Sequence, residues 1–172
     1  YIMKQLILIA VVILTLSSCE KQKIGFVDNG KVINEIQEKK DLEAKYTVRE
    51  DAFNAKADSL EQAIQFEAKE FQLKAAKMSQ SNQEKSYQEL VQKKQIQDQR
   101  LQFEKQQIAQ AYRKEMDSVI VKMKDFVSSY GKTNGYNYIL GTSDVSATVL
   151  YGEESNDLTQ VILDAINAEY KK

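Results

Sequence analysis

The side chains that could do chemistry are few in this chain, and their types exclude most kinds of catalysis. Among 172 residues there is no histidine and no tryptophan, and the only cysteine is Cys19. Without histidine or a free cysteine, the usual nucleophile–base pairs and zinc sites cannot be built. Carboxylates are plentiful, but they are interleaved with lysines, which is typical of a solvated helical face. Gly25 and Gly30 fit neither phosphate-binding pattern. We therefore predict no catalytic residue, no metal site and no cofactor.

Cys19 follows a segment that is typical of an export signal. A basic residue precedes the apolar run Leu6–Leu16, whose length of about eleven residues suits a secretory signal and is too short to cross a bilayer. The run ends in Leu16-Ser17-Ser18-Cys19, which resembles the bacterial lipobox. That resemblance implies cleavage before Cys19 and a lipid on its sulfur. The alternative is an ordinary signal peptide followed by a free cysteine.

A long helical hairpin is predicted for the middle of the chain. From about Gln37 to Tyr130 there is no glycine or proline, and apolar residues recur at spacings of three and four. The polar segment Ser79–Glu84 is the best candidate for a turn, with Ser81 and Glu84 spaced as a capping box. The turn divides the segment into arms over 38–80 and 84–130, each roughly 65–70 Å long.

The apolar residues of the arms form a seam of coiled-coil spacing. On the first arm its members are Tyr46, Phe53, Ala57, Leu60, Ile64, Phe71 and Met78; on the second they are Tyr112, Met116, Val119, Met123, Phe126 and Tyr130. Apolar residues are sparse from Gln83 to Gln107. Because less apolar surface is buried there, we expect the tip half of the hairpin to be the more mobile half.

Some aromatic side chains of the arms are candidates for binding other chains. Phe66 and Phe103 fall off the seam, and Tyr87 lies in its sparse part. We predict that these three residues contact unfolded polypeptides, since Gln-rich and Met-containing helical surfaces suit weak, adaptable binding. The alternative is that they pack within the hairpin.

Short segments on both sides of the hairpin predict a small body. Strands are predicted at Lys23–Asp28, Tyr136–Leu140 and Ala147–Tyr151. A final helix, capped by Asn156 or Asp157, carries an apolar stripe composed of Leu158, Val161, Ile162, Ala165 and Ile166. Because this core is very small, we expect each protomer to complete it through its neighbours. The predicted core residues of the assembled body are Ile24, Phe26, Ile139 and Val149.

The two ends of the mature chain resemble the OmpH/Skp family of periplasmic chaperones. The resemblance is carried by Lys23-Ile-Gly-Phe-Val-Asp28 followed by Lys31-Val32, by Asn134-Gly-Tyr-Asn-Tyr-Ile-Leu140, and by Val149-Leu-Tyr151 with Asp157-Leu-Thr159 and Val161-Ile-Leu163. It implies a homotrimer in which three helical hairpins surround a cavity. It further implies that unfolded outer-membrane proteins are held in that cavity without ATP.

These observations predict an α+β fold that is mostly α, with a small β-containing trimerisation body and a long antiparallel helical hairpin. The predicted boundaries are a signal peptide over 1–18, a lipidated tether over 19–22 and one domain over 23–172, with body segments 23–36 and 131–172 and arms 37–130. The net charge of −1 indicates no bulk attraction to nucleic acid. The predicted function is that of a holdase chaperone in the periplasm of a Gram-negative bacterium, anchored to a membrane by its lipid. The alternative is a structural coiled-coil lipoprotein that serves as a spacer or tether.

Overall fold

The computed structural model describes residues 22–143 and 145–171. The predicted signal peptide and Cys19 therefore lie outside the described residues. The described chain divides into two compact units. The first unit runs to Val32 and includes Asp125–Ile162, and the second contains Ile33–Lys124 and Leu163 onward.

The first unit is built on two parallel strands, β1 (Ile24–Asp28) and β2 (Tyr138–Thr142). Their register pairs Ile24 with Tyr138 and Asp28 with Thr142. The predicted strand over 147–151 is wrong: this segment is irregular, and the described sheet has two strands. A strand needs a neighbouring backbone to pair with, and nothing in the described chain pairs with this segment as a strand.

The core of the first unit lies between the strands and two helices. Gly25 and Val27 face the core, and Val27 is 1% exposed. Gly25 allows close packing, because a Cβ at this position would lie 2.5 Å from the Leu158 side chain. Asp28 Oδ1 accepts a hydrogen bond from Lys31 N at 2.9 Å, which caps helix α1 (Asn29–Glu35).

The final helix, α4 (Thr159–Tyr170), begins beside the first strand. Asp157 Oδ1 accepts a hydrogen bond from Thr159 N at 2.9 Å, which confirms Asp157 as a cap. Asp28 N in turn donates to Thr159 Oγ1 at 2.9 Å. Ile162 is fully buried, as predicted, but Val161 is 49% exposed. Its place in the predicted stripe was wrong, because the buried face runs through Ile162 and Leu163, and Val161 lies on the other side of Ile162 from Leu163 on a helix of 3.6 residues per turn.

The second unit contains a helical hairpin formed by α2 (Gln37–Ala75) and most of α3 (Gln80–Thr133). The turn lies at 76–79, earlier than predicted. Ser79 rather than Ser81 caps α3: Ser79 Oγ accepts from Asn82 N at 3.4 Å, and its carbonyl accepts from Gln83 N at 2.9 Å. Serine at either position is a good cap, so the sequence alone did not distinguish the two.

The predicted seam is confirmed by burial. The predicted members Tyr46 and Ile64 of the first arm and Val119 and Met123 of the second are buried. Leu42 and Ile108, which were not predicted, are buried as well. Other predicted members, from Phe53 to Met78, are half-buried. The tyrosines at 46 and 112 meet edge to face, with ring centroids 5.2 Å apart.

The first arm begins at a break in the helix. Ile36 is extended (φ −58°, ψ 128°) between α1 and α2, and it is 1% exposed. Its own side chain cannot cap a helix, and Asn167 of α4 supplies the cap, because Gln37 N donates to Asn167 Oδ1 at 2.8 Å. Tyr170 of the same helix hydrogen-bonds to Asp41, and this bond raises the pKa of Tyr170.

Candidate functional site

The three predicted contact residues of the arms are all exposed. Phe66 is 64% exposed, Tyr87 is 57% exposed and Phe103 is 62% exposed. The ring of Tyr87 packs against that of Phe71, with the ring centroids 6.3 Å apart. Among the described residues, no ring contact is found for Phe66 or Phe103. The structure brings Phe103 into a groove with other apolar side chains and leaves Phe66 on a separate face.

Phe66 belongs to an apolar stripe on the outer face of α2. Val48 precedes it by eighteen residues, or five helical turns, and Leu73 follows it by seven, so the three side chains share one face. All three are largely exposed. The buried Tyr46 and Ile64 point away from this face. The stripe therefore lies opposite the seam.

Phe103 lines the larger feature of the hairpin, which we call the trough. The trough consists of two adjoining grooves between α2 and α3, with volumes of about 560 and 740 Å³. Both grooves are lined by Lys56, Arg100 and Glu104. Their apolar lining comes from both arms and consists of Phe53, Leu60, Ile96, Leu101, Phe103 and Ile108.

The charges at the trough are mostly positive. Lys56 forms an ion pair with Glu104 at 2.6 Å across the arms. Arg49 and Arg100 line the groove that contains Phe103, and neither forms an ion pair with a carboxylate of the described residues. The guanidinium of Arg49 lies 5.8 Å from the ring centroid of Tyr46. Two exposed cations therefore flank an apolar groove without an ion-pair partner among the described carboxylates.

Ion pairs between the arms set the antiparallel register. They join Glu38 with Lys122, Lys45 with Glu115, Lys56 with Glu104, Glu61 with Lys94, and Glu67 with Lys93. Glu67 lies where the seam spacing would place an apolar residue, and its pairing with Lys93 accounts for the carboxylate there. Because each pair is exposed, the pairs specify register more than they add stability.

The ion pair of Lys45 with Glu115, far from the turn of the hairpin, extends into the seam. Hydrogen bonds from Lys45 and from the Tyr46 hydroxyl, at 2.7 and 2.8 Å, lower the pKa of Glu115. Burial and the same hydrogen bond raise the pKa of Tyr46. The cluster therefore favours an ionised Glu115 next to a neutral tyrosine, which holds this end of the hairpin together at neutral pH.

Farther along the arms the seam contains a polar defect. A hydrogen bond from Lys94 lowers the pKa of Glu61 and raises that of Lys94. Next to this pair, the Nε2 atom of Gln97 is buried and finds no hydrogen-bond partner in the described structure. Gln97 occupies the seam, four residues before Leu101. A buried unsatisfied amide is costly, so the arms are less firmly paired at this level.

The first unit exposes a second apolar surface. Leu150 and Tyr151 are 90% and 85% exposed, and the exposed residues at 138, 140 and 145 are also apolar. The predicted body-core residues lie near these positions. Ile24 is exposed in the single chain, while Phe26, Ile139 and Val149 are half-buried.

The described residues, 22–143 and 145–171, contain no group of three or more potential ligands that could hold a metal ion. No helix within them is both long and apolar enough to cross a membrane. What the arrangement offers is apolar and cationic surface along two paired helices. Such a surface can adsorb other chains through many weak contacts.

The sequence analysis did not predict that Arg49, Arg100 and Ile96 line the trough. A signal was present, because only three of the 24 basic residues are arginines and two of these line one groove. Ile96 and Phe103 are also seven residues apart, which places them on one face of α3. The trough itself depends on the pairing of two helices, which spacing on one helix does not reveal.

The fold and its exposed surfaces define an α+β protein that is mostly α and is dominated by a long helical hairpin. Residues 23–166 match the family described as outer membrane protein (OmpH-like). The chain therefore belongs to the OmpH-like family.

One solved structure similar to the chain is the crystal structure of a Caulobacter crescentus protein described as an OmpH-like outer membrane chaperone. The TM-score is 0.76 at 15% sequence identity, and the match covers 87% of this chain and 86% of that one. This likeness shows the shared fold. No match was found among curated proteins.

Proposed function

We propose that this protein is an ATP-independent holdase chaperone of the bacterial cell envelope. In this proposal it binds unfolded outer-membrane β-barrel proteins between helical arms and has no catalytic role. Membership in the OmpH-like family supports a chaperone role, as does the description of the Caulobacter structure. The mechanism is physical: weak contacts with apolar segments of a client keep these segments from aggregating.

The exposed apolar surface of the hairpin is the observation that carries this proposal. Phe66 and Phe103 are each more than half exposed in the middle of the arms. Monomeric soluble proteins rarely expose large apolar patches without an interaction partner. Between Gln80 and Gln107, all of which the structure describes, every residue is at least partly exposed. This part of the hairpin gains little from its own packing, so contact with a client would supply the missing burial.

We further propose that the protein acts as a homotrimer. Leu150 and Tyr151 of the first unit are 90% and 85% exposed in the single chain. A neighbouring protomer would cover this apolar surface. The residues that would form the shared core are Ile24, Phe26, Ile139 and Val149. Lipid at Cys19 would tether the assembly to a membrane.

A structural spacer is the second candidate function. It is favoured by the ion pair of Glu67 with Lys93, because pairing that continues into the tip half is what a rigid rod requires. The exposed aromatic residues of the arms argue against this alternative, since a spacer has no need of them.

Aggregation of an unfolded client is the direct test. A β-barrel protein would be diluted from urea into buffer with or without the mature protein, and light scattering would be recorded. We expect scattering to be suppressed at a stoichiometric excess of the protein, without ATP. A shortened variant that lacks residues 57–103, and with them Phe66 and Phe103, provides the second arm of the test. It keeps the paired Lys56 and Glu104 next to a short glycine–serine connection.

The shortened variant separates the two candidate functions. A holdase should lose suppression when the tip half is removed, while its oligomeric state in sedimentation equilibrium stays the same. If the intact protein fails to suppress aggregation, or the shortened variant suppresses it equally well, the spacer is the better explanation.

A further inference from the structure

We propose that the trough is a binding site for extended polypeptide segments in which apolar residues alternate with acidic ones. This inference rests on the proposed chaperone function and adds to it a site and a class of client segment. The occupant is a single extended strand of an unfolded chain, lying along the groove between α2 and α3. Four observations lead to it: the lining, the length, the charge and the absence of competing partners.

The lining is apolar at the bottom and is supplied by both arms. Phe53 and Leu60 come from α2, while Ile96 and Phe103 come from α3. Phe103 is 62% exposed and Ile96 is 42% exposed, so an incoming side chain can cover them. An extended chain places alternate side chains on one face. Its apolar set would contact these residues while its polar set remains at the rim.

The α3 side of the trough is as long as one strand of a membrane β-barrel. Its lining residues on α3 run from Glu89 to Ile108, about 29 Å at 1.5 Å per helical residue, and those on α2 run from Arg49 to Leu60, about 17 Å. An extended chain covers the longer side in about nine residues and the shorter side in about five. Strands that span the outer membrane have about 9–11 residues and alternate apolar with polar side chains.

The charge at the rim selects which polar side chains fit. Four cations line the trough: Arg49, Lys56, Lys93 and Arg100. Two carboxylates, at 89 and 104, also line it. Lys56 and Lys93 are already paired across the arms. The remaining charges of the lining are the two arginines, which do not form ion pairs with described carboxylates, and Glu89, so one positive charge is in excess.

Arginine suits this role better than lysine does. Its planar guanidinium presents paired donors that match a carboxylate, and it also stacks on aromatic rings. Arg49 lies near Tyr46 and close enough to Glu115 to lower the pKa of that carboxyl, although it is not ion-paired with it. Arg100 is exposed on the facing arm. A client carboxylate can reach either guanidinium without breaking an existing ion pair.

The chain offers a matched control for each contact. Phe66 has nearly the same exposure as Phe103, at 64% against 62%, but it lies opposite the seam and outside the trough. Arg113 is the third arginine and is exposed on α3, also outside the trough. Phe103→Ser is therefore compared with Phe66→Ser, and Arg100→Gln with Arg113→Gln.

The probe is a fluorescent peptide of about ten residues that alternates aromatic or aliphatic residues with glutamate. A second peptide has lysine in place of every glutamate. Binding to the full mature protein is measured by fluorescence anisotropy at moderate salt. We expect the affinity of the acidic peptide to be at least about tenfold higher than that of the basic one. Phe103→Ser and Arg100→Gln should each weaken its binding several-fold, and neither Phe66→Ser nor Arg113→Gln should do so.

Several outcomes would overturn the inference. Equal losses for the variants at 66 and 103 would mean that binding is spread over the whole arm. Equal affinity for the two peptides would remove the role of the arginines. Binding to vesicles that contain phosphatidylglycerol, without binding of the acidic peptide, would assign the trough to lipid instead. The four variants can also be tested for suppression of client aggregation. If they suppress it as the unmodified protein does, but the peptides do not show the expected differences in affinity, the chaperone proposal is retained and the assignment of the trough is wrong.

Discussion

Replacing Gln97 by leucine should pair the middle of the hairpin more firmly. The Nε2 atom of Gln97 is buried without a hydrogen-bond partner in the described structure, and a buried donor of this kind costs about 1–3 kcal/mol. Leucine has a similar volume and no polar atom, so Gln97→Leu removes this cost and adds an apolar contact near Leu60 and Leu101, which line the same groove. The paired state of the arms should gain about 1–3 kcal/mol.

Hydrogen exchange measures this gain where it occurs. Amides between about residues 60 and 70 of α2, and between about 90 and 100 of α3, should exchange about 5–150-fold more slowly in Gln97→Leu. Gln99→Leu is the matched control, because Gln99 is exposed on the same helix and its replacement should change stability by less than about 0.5 kcal/mol. Equal protection in the two variants, or no change at Gln97→Leu, would refute the assignment of a polar defect.

Three further predictions concern the turn, the acid response and the association of protomers. Ser79→Ala should destabilise the start of α3 by about 1 kcal/mol, seen as faster exchange at the first amides of that helix; an equal effect of Ser81→Ala would contradict the cap. Because the pKa values of Glu61 and Glu115 are lowered from 4.5, their stabilisation is present at neutral pH and is lost as the pH falls below about 4.5. Thermal melts followed by circular dichroism should show a lower melting temperature at pH 3 than at pH 7, and an unchanged melting temperature across this range would contradict the prediction. Leu150→Asp alters a side chain that is 90% exposed, so a monomer should tolerate it, whereas a trimer should dissociate in sedimentation equilibrium.

The sequence predicted the hairpin well because helical periodicity is a local property. Apolar spacing located the buried Tyr46, Ile64 and Val119 without knowledge of what covers them. The cap at Asp157 was predicted for the same reason, since a cap depends only on neighbouring residues.

The failures involve partners that are distant in the chain. The segment 147–151 has strand composition, but pairing requires a second backbone, and composition does not supply one. The cap of α2 comes from Asn167, which is 130 residues away from Gln37 in the chain, so no local sequence pattern predicts it. The trough was missed for the same reason: Arg49 and Arg100 become neighbours only after two helices pair.

The cap from Asn167 and the parallel strand pair impose an order on folding. The backbone N–H of Gln37 donates to the side chain of Asn167, which lies 130 residues later in the chain. The backbone N–H of Lys23 donates to the side chain of Asn137, which lies 114 residues later. Ribosomes add about 5–20 residues per second, so these donors are made about 6–26 s before their acceptors and bind water during that interval. The hairpin needs only its own turn to begin, and the apolar arms are therefore available before the sheet closes. Newly made copies should for that interval need the kind of protection against aggregation that the protein is proposed to give to others.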